Sequence, residues 1–413
     1  MKRLILQILV VLFCYTTNAQ WRPFNLGTNN ALSSVFFTSA DTGYIIGEGI
    51  YKTTDAGTSW TTVDSVYIAT YGIYANVPGT VNAVYFPNAD SGVVVGNGGT
   101  VLRTTNKGKT WTETLLSTLP NWTEINLNSV FFADAKNGYA VGGFKGFPGI
   151  LASIESIIKT SDGGITWTPL TGPKTIPLQS VYFTSATTGY AVGDSGLIIK
   201  TTNGGTSWDT LSSKTKQLLM SVFFTDANNG FVGGYGGEFL RTTNSGVSWS
   251  YINTNSFMDI DAIYFPTATT GYAIGTEFGI KTTDGGNTWR WADDSLSFVT
   301  YNSIFFTSAN VGYAVGQNGA FDKTTDGAVR VVNSISKVQS GDLILYPNPV
   351  QSTLYINSNY QNEAISIYDL QGKLILSNPN MNNQINVSSL PRGVYVIKIN
   401  DSNNSIVNKF IKE

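Results

Sequence analysis

Short apolar runs alternate with polar turns along most of this chain, and the alternation itself repeats. A run of the type Ser-Val-Phe-Phe is followed by one of the type Gly-Tyr-Ala-Val-Gly, then by Thr-Thr-Asp/Asn-x-Gly-x-Ser/Thr-Trp. The first run is centred on Val35, Val84, Val130, Val181, Val222, Ile263 and Ile304, so the unit recurs after 49, 46, 51, 41, 41 and 41 residues. In the fourth unit, period-two alternation predicts strands over Ser180 to Thr184, Gly189 to Gly193 and Leu197 to Lys200. The turn Thr201-Thr202-Asn203-Gly204-Gly205-Thr206-Ser207-Trp208 then leads into a fourth strand. Four short strands repeated every 40 to 50 residues predict an all-β chain built as a β-propeller, here seven-bladed.

The tryptophans predict how the ring closes. Six turns end in Trp60, Trp111, Trp167, Trp208, Trp249 and Trp289, while the seventh, from Asp326 to Arg330, has none. Trp21, followed by Arg22 and Pro23, reads as the missing fourth strand of the last blade. Joining the two ends in one sheet would remove an exposed edge.

Composition narrows the chemistry. Of 413 residues 13% are charged and 13% aromatic, with 43 glycines, which suits many tight turns. Net charge is −2 and no basic stripe appears, so nucleic acid is not an expected partner. There is no histidine, and Cys14 is the only cysteine. That excludes a Ser-His-Asp or Cys-His catalytic arrangement and His-ligated or multi-thiolate metal sites. No metal and no cofactor are expected. Lys2 and Arg3 before an apolar stretch from Leu4 to Phe13, then Thr17-Asn18-Ala19, read as a signal peptide over residues 1–19. The stretch is too short to span a bilayer, so no transmembrane span is expected in the mature chain.

The repeated turn resembles the Asp box of sialidase-type (BNR) repeats, with Asp55, Asn106, Asp162, Asn203, Asn244, Asp284 and Asp326 at its acidic or amide position. These residues are expected to be structural, bonding the backbone of their own turn. Each third strand carries a cation, namely Lys52, Arg103, Lys159, Lys200, Arg241, Lys281 or Lys323, expected to be solvated or paired within its own blade. The pattern over residues 20–335 resembles the photosystem II stability and assembly factor family. That resemblance implies a propeller and, as one functional class, an extracytoplasmic assembly or scaffold protein. A sialidase site would need an arginine triad, and the propeller offers only Arg22, Arg103, Arg241, Arg290 and Arg330.

After a linker at 336–341 the composition shifts. Residues 342–413 are expected to form a small Ig-like β-sandwich. Pro347, Asn348, Pro349, Gly372, Lys373, Leu390, Gly393, Tyr395 and the closing Lys409-Phe410-Ile411-Lys412 resemble the type A sorting domain of the type IX secretion system. The resemblance implies recognition by that machinery and release from, or display on, the surface of a diderm bacterium.

Three longer units place extra residues between Asp64 and Thr80, from Leu115 to Asn126, and from Phe144 to Ser156. Strand order puts all three on the face opposite the Asp-box turns, over neighbouring blades. Tyr67, Tyr71, Tyr74, Trp122, Phe144 and Phe147 are therefore candidate contacts for a glycan or protein ligand. Glu48, Asp194, Glu238 and Glu277 occupy short loops of the same face. A pair of them would suit the alternative of a polysaccharide-active glycoside hydrolase. The expected function is a non-enzymatic binding module.

Overall fold

The computed structural model describes residues 21–64, 81–114, 116, 125–144, 154–173, 176–254, 256–276, 278–291, 299–327, 344–357, 364–369, 374–378, 384–400 and 405–413. The signal segment 1–19 and the linker 336–341 lie outside them. The chain divides into two compact units, residues 1–330 and 331–413.

The described residues of the first unit form seven four-stranded antiparallel sheets. Their first strands are Leu32–Phe37, Val81–Tyr85, Asn126–Phe132, Leu178–Phe183, Leu219–Phe224, Ala262–Tyr264 and Tyr301–Phe306. Each first strand packs against those of the sheets before and after it, and the seventh packs against the first. The N-terminal strand Arg22–Pro23 is the fourth strand of the seventh sheet, with Arg22 opposite Lys323 and Pro23 opposite Asp322. Trp21 is buried there, edge-on to Tyr272 and Phe306.

One aromatic arrangement recurs between most neighbouring sheets. Tyr44 of the first sheet stacks on Phe86 of the second at 4.2 Å, and Phe86 meets Trp111 edge-on. Tyr139, Phe183 and Trp208 do the same between the third and fourth sheets, as do Tyr190, Phe224 and Trp249 between the fourth and fifth. The opening glycine of each second strand follows from this packing. A Cβ on Gly43 would lie 2.5 Å from the ring of Phe37, far inside contact distance.

The third unit departs from the sequence expectation. Phe144 and Ser156 were assigned to a loop, yet they belong to the strands Gly138–Phe144 and Ile154–Thr160, with Gly142 opposite Ser156 and Phe144 opposite Ile154. The extra residues extend the hairpin ladder, because backbone groups that pair with each other need no other partner.

In the second unit, the three strands Ile344–Tyr346, Thr353–Asn357 and Gln384–Asn386 form one sheet. A second sheet orders Leu374–Asn378, Ala364–Tyr368, Gly393–Asn400 and Ser405–Lys412. Leu354, Ile356, Ile365, Ile367, Ile397 and Phe410 share one apolar core. The sorting-motif residues tie the last strand down. Asn348 Oδ1 accepts the Ile411 N–H at 2.8 Å, and Tyr395 stacks on Phe410 at 5.6 Å.

Candidate functional site

The first strands surround the axis of the first unit, and their alternation decides what faces it. The residue after each apolar anchor is half-buried and aromatic: Phe36, Tyr85, Phe131, Tyr182, Phe223, Tyr264 and Phe305. Neighbouring rings lie 5.0–5.6 Å apart all the way round, tilted by 46–50°. Seven rings thus make a closed apolar collar. Burial, with a smaller contribution from the phenol of Tyr182, pushes the Tyr85 and Tyr264 hydroxyls up to about 12. They stay neutral at physiological pH, so the collar offers no phenolate nucleophile.

Beside the collar, a mouth of about 550 Å³ opens on the face that carries the second-to-third-strand turns. Each first strand contributes the residue two places before its anchor: Ser33, Asn82, Asn128, Gln179, Met220, Asp261 and Asn302. Three of these amides bind the next sheet. Asn82 Nδ2 donates to the Leu127 carbonyl at 3.0 Å, Asn128 Nδ2 to Leu178 at 2.8 Å and Asn302 Nδ2 to Leu32 at 2.8 Å. Gln179 Nε2 donates to Asp194. These four amides are therefore engaged within the protein.

Asp261 breaks this series with a carboxyl, and Asp259 lies two residues away in the same wall. Asp259 Oδ1 accepts the Gly236 N–H at 2.8 Å, which ties the loop into the sixth sheet to the Tyr235–Gly237 turn. Burial first, and the Asp259 carboxylate second, push Asp261 up to about 7. The two carboxyls share the mouth with no lysine or arginine among its described lining.

The sequence candidates fall in several places. Tyr67, Tyr71, Tyr74, Trp122, Phe147 and Glu277 lie outside the described residues, and Phe144 has its backbone in a strand. Glu48 is exposed and accepts a bond from Asn30, Asp194 from Gln179, and Glu238 from Thr215. None of these three lines the mouth, whose acids are Asp259 and Asp261. Sequence reasoning passed over both. The available signal was an acid at a position that repeats as Ser, Asn or Gln elsewhere, with Met220 the other exception. Among the described residues no group of three or more acidic side chains is placed to hold a metal.

The turns behave as turns. Asp55 Oδ1 accepts from the Thr53 hydroxyl at 2.7 Å and from Ser59 N–H at 2.9 Å, while Gly57 N–H donates to Thr53 Oγ1 at 2.9 Å. Asn106, Asp162, Asn203, Asn244 and Asp284 repeat this pattern, and Asp326 accepts from Thr324. The third-strand cations reach further than expected. Lys200 Nζ donates to the Ser245 carbonyl at 2.8 Å, in the turn of the next sheet, and Lys52, Lys159, Lys281 and Lys323 make the same cross-sheet bond. Arg103 bonds Gly163, and Arg241 bonds Gly286 and Asn287. They are inter-sheet ties, because the neighbouring turn presents a backbone carbonyl within their reach.

Comparison with known proteins agrees with this architecture. Residues 14–122 and 167–258 match the family model of the photosynthesis system II assembly factor YCF48, and residues 344–413 match the secretion system C-terminal sorting domain. No curated protein matches the chain. Among solved structures, YCF48 from Cyanidioschyzon merolae is 22% identical with a TM-score of 0.60, covering 74% of this chain and 99% of its own. YCF48 bound to D1 peptide is 19% identical at a TM-score of 0.60, covering 74% and 97%. The GH74 enzyme of Niastella koreensis is 14% identical at 0.57, covering 94% and 74%. These likenesses show the fold. The sorting domain assigns the chain to the type IX secretion machinery, hence to the outer-membrane surface or the extracellular space of a diderm bacterium. The chain is a BNR-type β-propeller, similar over part of its length to the photosystem II assembly factor family, that ends in a type IX secretion sorting domain.

Proposed function

We propose that the chain works outside the cell as a non-enzymatic binding protein that takes a glycan or a protein segment at the mouth of its axial channel. In this reading its seven sheets are seven blades over residues 20–335, residues 336–341 are a linker, and residues 342–413 form an Ig-like sandwich that serves export. One observation carries the proposal: a concavity of about 550 Å³ drawing residues from all seven sheets, beside a continuous aromatic collar. A rigid ring that presents converging side chains at one depression is how a repeat scaffold builds a ligand site. The candidate loops bearing Tyr67, Tyr71, Tyr74, Trp122 and Phe147 leave the same face by strand order and would widen the contact.

The test is a screen of the full-length chain against glycan, polysaccharide and peptide arrays, with product analysis of every hit. Binding without turnover that weakens in Trp122→Ala, Tyr71→Ala or Asp261→Asn, with the melting temperature held, supports the proposal. Loss of folding in the loop variants assigns those rings to packing. A glycoside hydrolase is the second reading, favoured by the Asp259 and Asp261 pair. A carboxyl titrating near neutrality with a second carboxyl in the same wall is the arrangement that supplies a general acid and its partner. Shortened products that vanish in Asp261→Asn would decide for it. YCF48 has been seen with a peptide bound, which supports a protein ligand and the assembly or scaffold class.

A further inference from the structure

The loop that brings Asp259 to the mouth also carries the most exposed apolar side chains of its neighbourhood. Phe257 is 92% exposed and Met258 41%, and Tyr235 beside them is 50% exposed. They are held rather than loose. Asp259 accepts the Gly236 N–H, and the Phe257 Cα lies 3.1 Å from where a Gly237 Cβ would stand, so the loop lies directly on the Tyr235–Gly237 turn. Large apolar side chains exposed on a backbone anchored next to a concavity mark an interaction surface.

Charge selects the partner. The Asn82, Asn128 and Asn302 amides donate to neighbouring carbonyls, and the only charged groups in the described lining are the carboxyls of Asp259 and Asp261. Besides burial, the Asp259 carboxylate raises the cost of ionising Asp261 unless a cation offsets it. A neutral sugar would leave that repulsion in place, whereas an ammonium or guanidinium group would relieve it and supply the missing donors. Asp261 also holds a place where asparagine serves three other sheets structurally, and a residue that departs from the local rule without a structural gain points to function.

We propose that the mouth takes a basic peptide segment, one lysine or arginine side chain entering toward Asp259 and Asp261 while adjoining apolar residues lie on Tyr235, Phe257 and Met258. This rests on the reading of the mouth as the binding site and names its ligand class.

The experiment compares retention by the full-length chain of two degenerate pentapeptide libraries, one with lysine or arginine at the centre and one with norleucine, alongside neutral glucan oligosaccharides. The expected result is a preference of about tenfold or more for the cationic library, reduced by added salt. Asp261→Asn and Asp259→Asn should each remove most of that preference, and Phe257→Ala should weaken retention of the cationic library about three- to tenfold, with thermal unfolding retained. Equal retention of both libraries, or a preference untouched by Asp261→Asn, overturns the cationic ligand. Oligosaccharide binding that disappears in Asp261→Asn keeps the mouth as the site and overturns the peptide. No retention of any probe overturns both readings.

Discussion

An ionised Asp261 cannot do what Asn82, Asn128 and Asn302 do at the same place in their sheets, which is to donate to a carbonyl of the next sheet. Only its protonated form carries a donor. The folded-state pKa of about 7 lies above the ordinary carboxyl value. The stabilising contribution is therefore complete below about pH 4 and is lost as pH rises towards 7. Asp261→Asn should accordingly raise unfolding free energy by about 1–3 kcal/mol at about pH 8 and by little at about pH 4. Urea unfolding at the two pH values checks this, and equal effects at both would remove the titration argument. A second buried acid behaves differently. Asp322 stands where the other sheets have Tyr51, Leu102, Ile158, Ile199, Leu240 and Ile280, and accepts a hydrogen bond from Tyr301, which replaces a Leu, Val or Ile. Tyr301→Phe should cost about 1–3 kcal/mol by stripping a buried carboxyl of its donor. Tyr301→Leu combined with Asp322→Ile should recover most of that loss, as a double-mutant cycle would read out.

The strands and the turns between them were legible in the chain because each turn closes on itself. Thr201, Asn203, Gly205 and Ser207 satisfy one another within seven residues, so local spacing is enough. Hydrogen bonds from the turn hold the carboxylates of Asp55 and Asp284 down to about 2, and Asp162 reaches about 2 through the same bonds although burial opposes them. Their folded-state values lie below the ordinary ones, so they stabilise above about pH 4, and that stability fades as pH falls towards 2. Acid unfolding followed by circular dichroism should show its midpoint in that window. The tie between sheets was not legible, since alternation shows which face a side chain takes and not which neighbour it meets. Tyr190 and Lys200 both donate to the Ser245 carbonyl, and four more Tyr–Lys pairs do the same. Where Val93 or Phe231 replaces the tyrosine, the cation is Arg103 or Arg241. A guanidinium has more donors and can span more than one acceptor, as Arg241 does with Gly286 and Asn287. Tyr190→Phe should cost about 1 kcal/mol, and adding Lys200→Arg should restore part of it. A restoration no larger than that from Lys200→Arg alone would count against the exchange.

At the scale of the whole unit, the period of the repeat announced the ring, and the odd tryptophan announced where the N-terminal strand joins the seventh sheet. The centre stayed hidden. Phe36, Tyr85 and their equivalents look like any half-buried strand position, because a period of two cannot say whether a face meets the axis or a neighbouring sheet. Asp259 and Asp261 were missed for a related reason: they read as loop residues before a short strand, and only the ring brings them to a wall shared by seven sheets. Closure itself can be tested at Trp21. Its ring is 1% exposed and meets Phe306 edge-on at 5.9 Å, as Trp208 meets Phe183 at 6.1 Å in the fourth sheet. Losing a buried tryptophan costs about 3–5 kcal/mol. The larger consequence is topological, because without Arg22 and Pro23 the edge formed by Asp322 and Lys323 would stand open and the seventh sheet would be held to the first only by side-chain packing and a few side-chain hydrogen bonds such as Asn302 to Leu32. Trp21→Ala should therefore lower the urea midpoint of the whole first unit in one transition, followed by tryptophan fluorescence and by protease resistance together. An early loss of protease resistance near residue 324, with the remaining sheets unfolding at the original midpoint, would instead show that the ring tolerates an open seam.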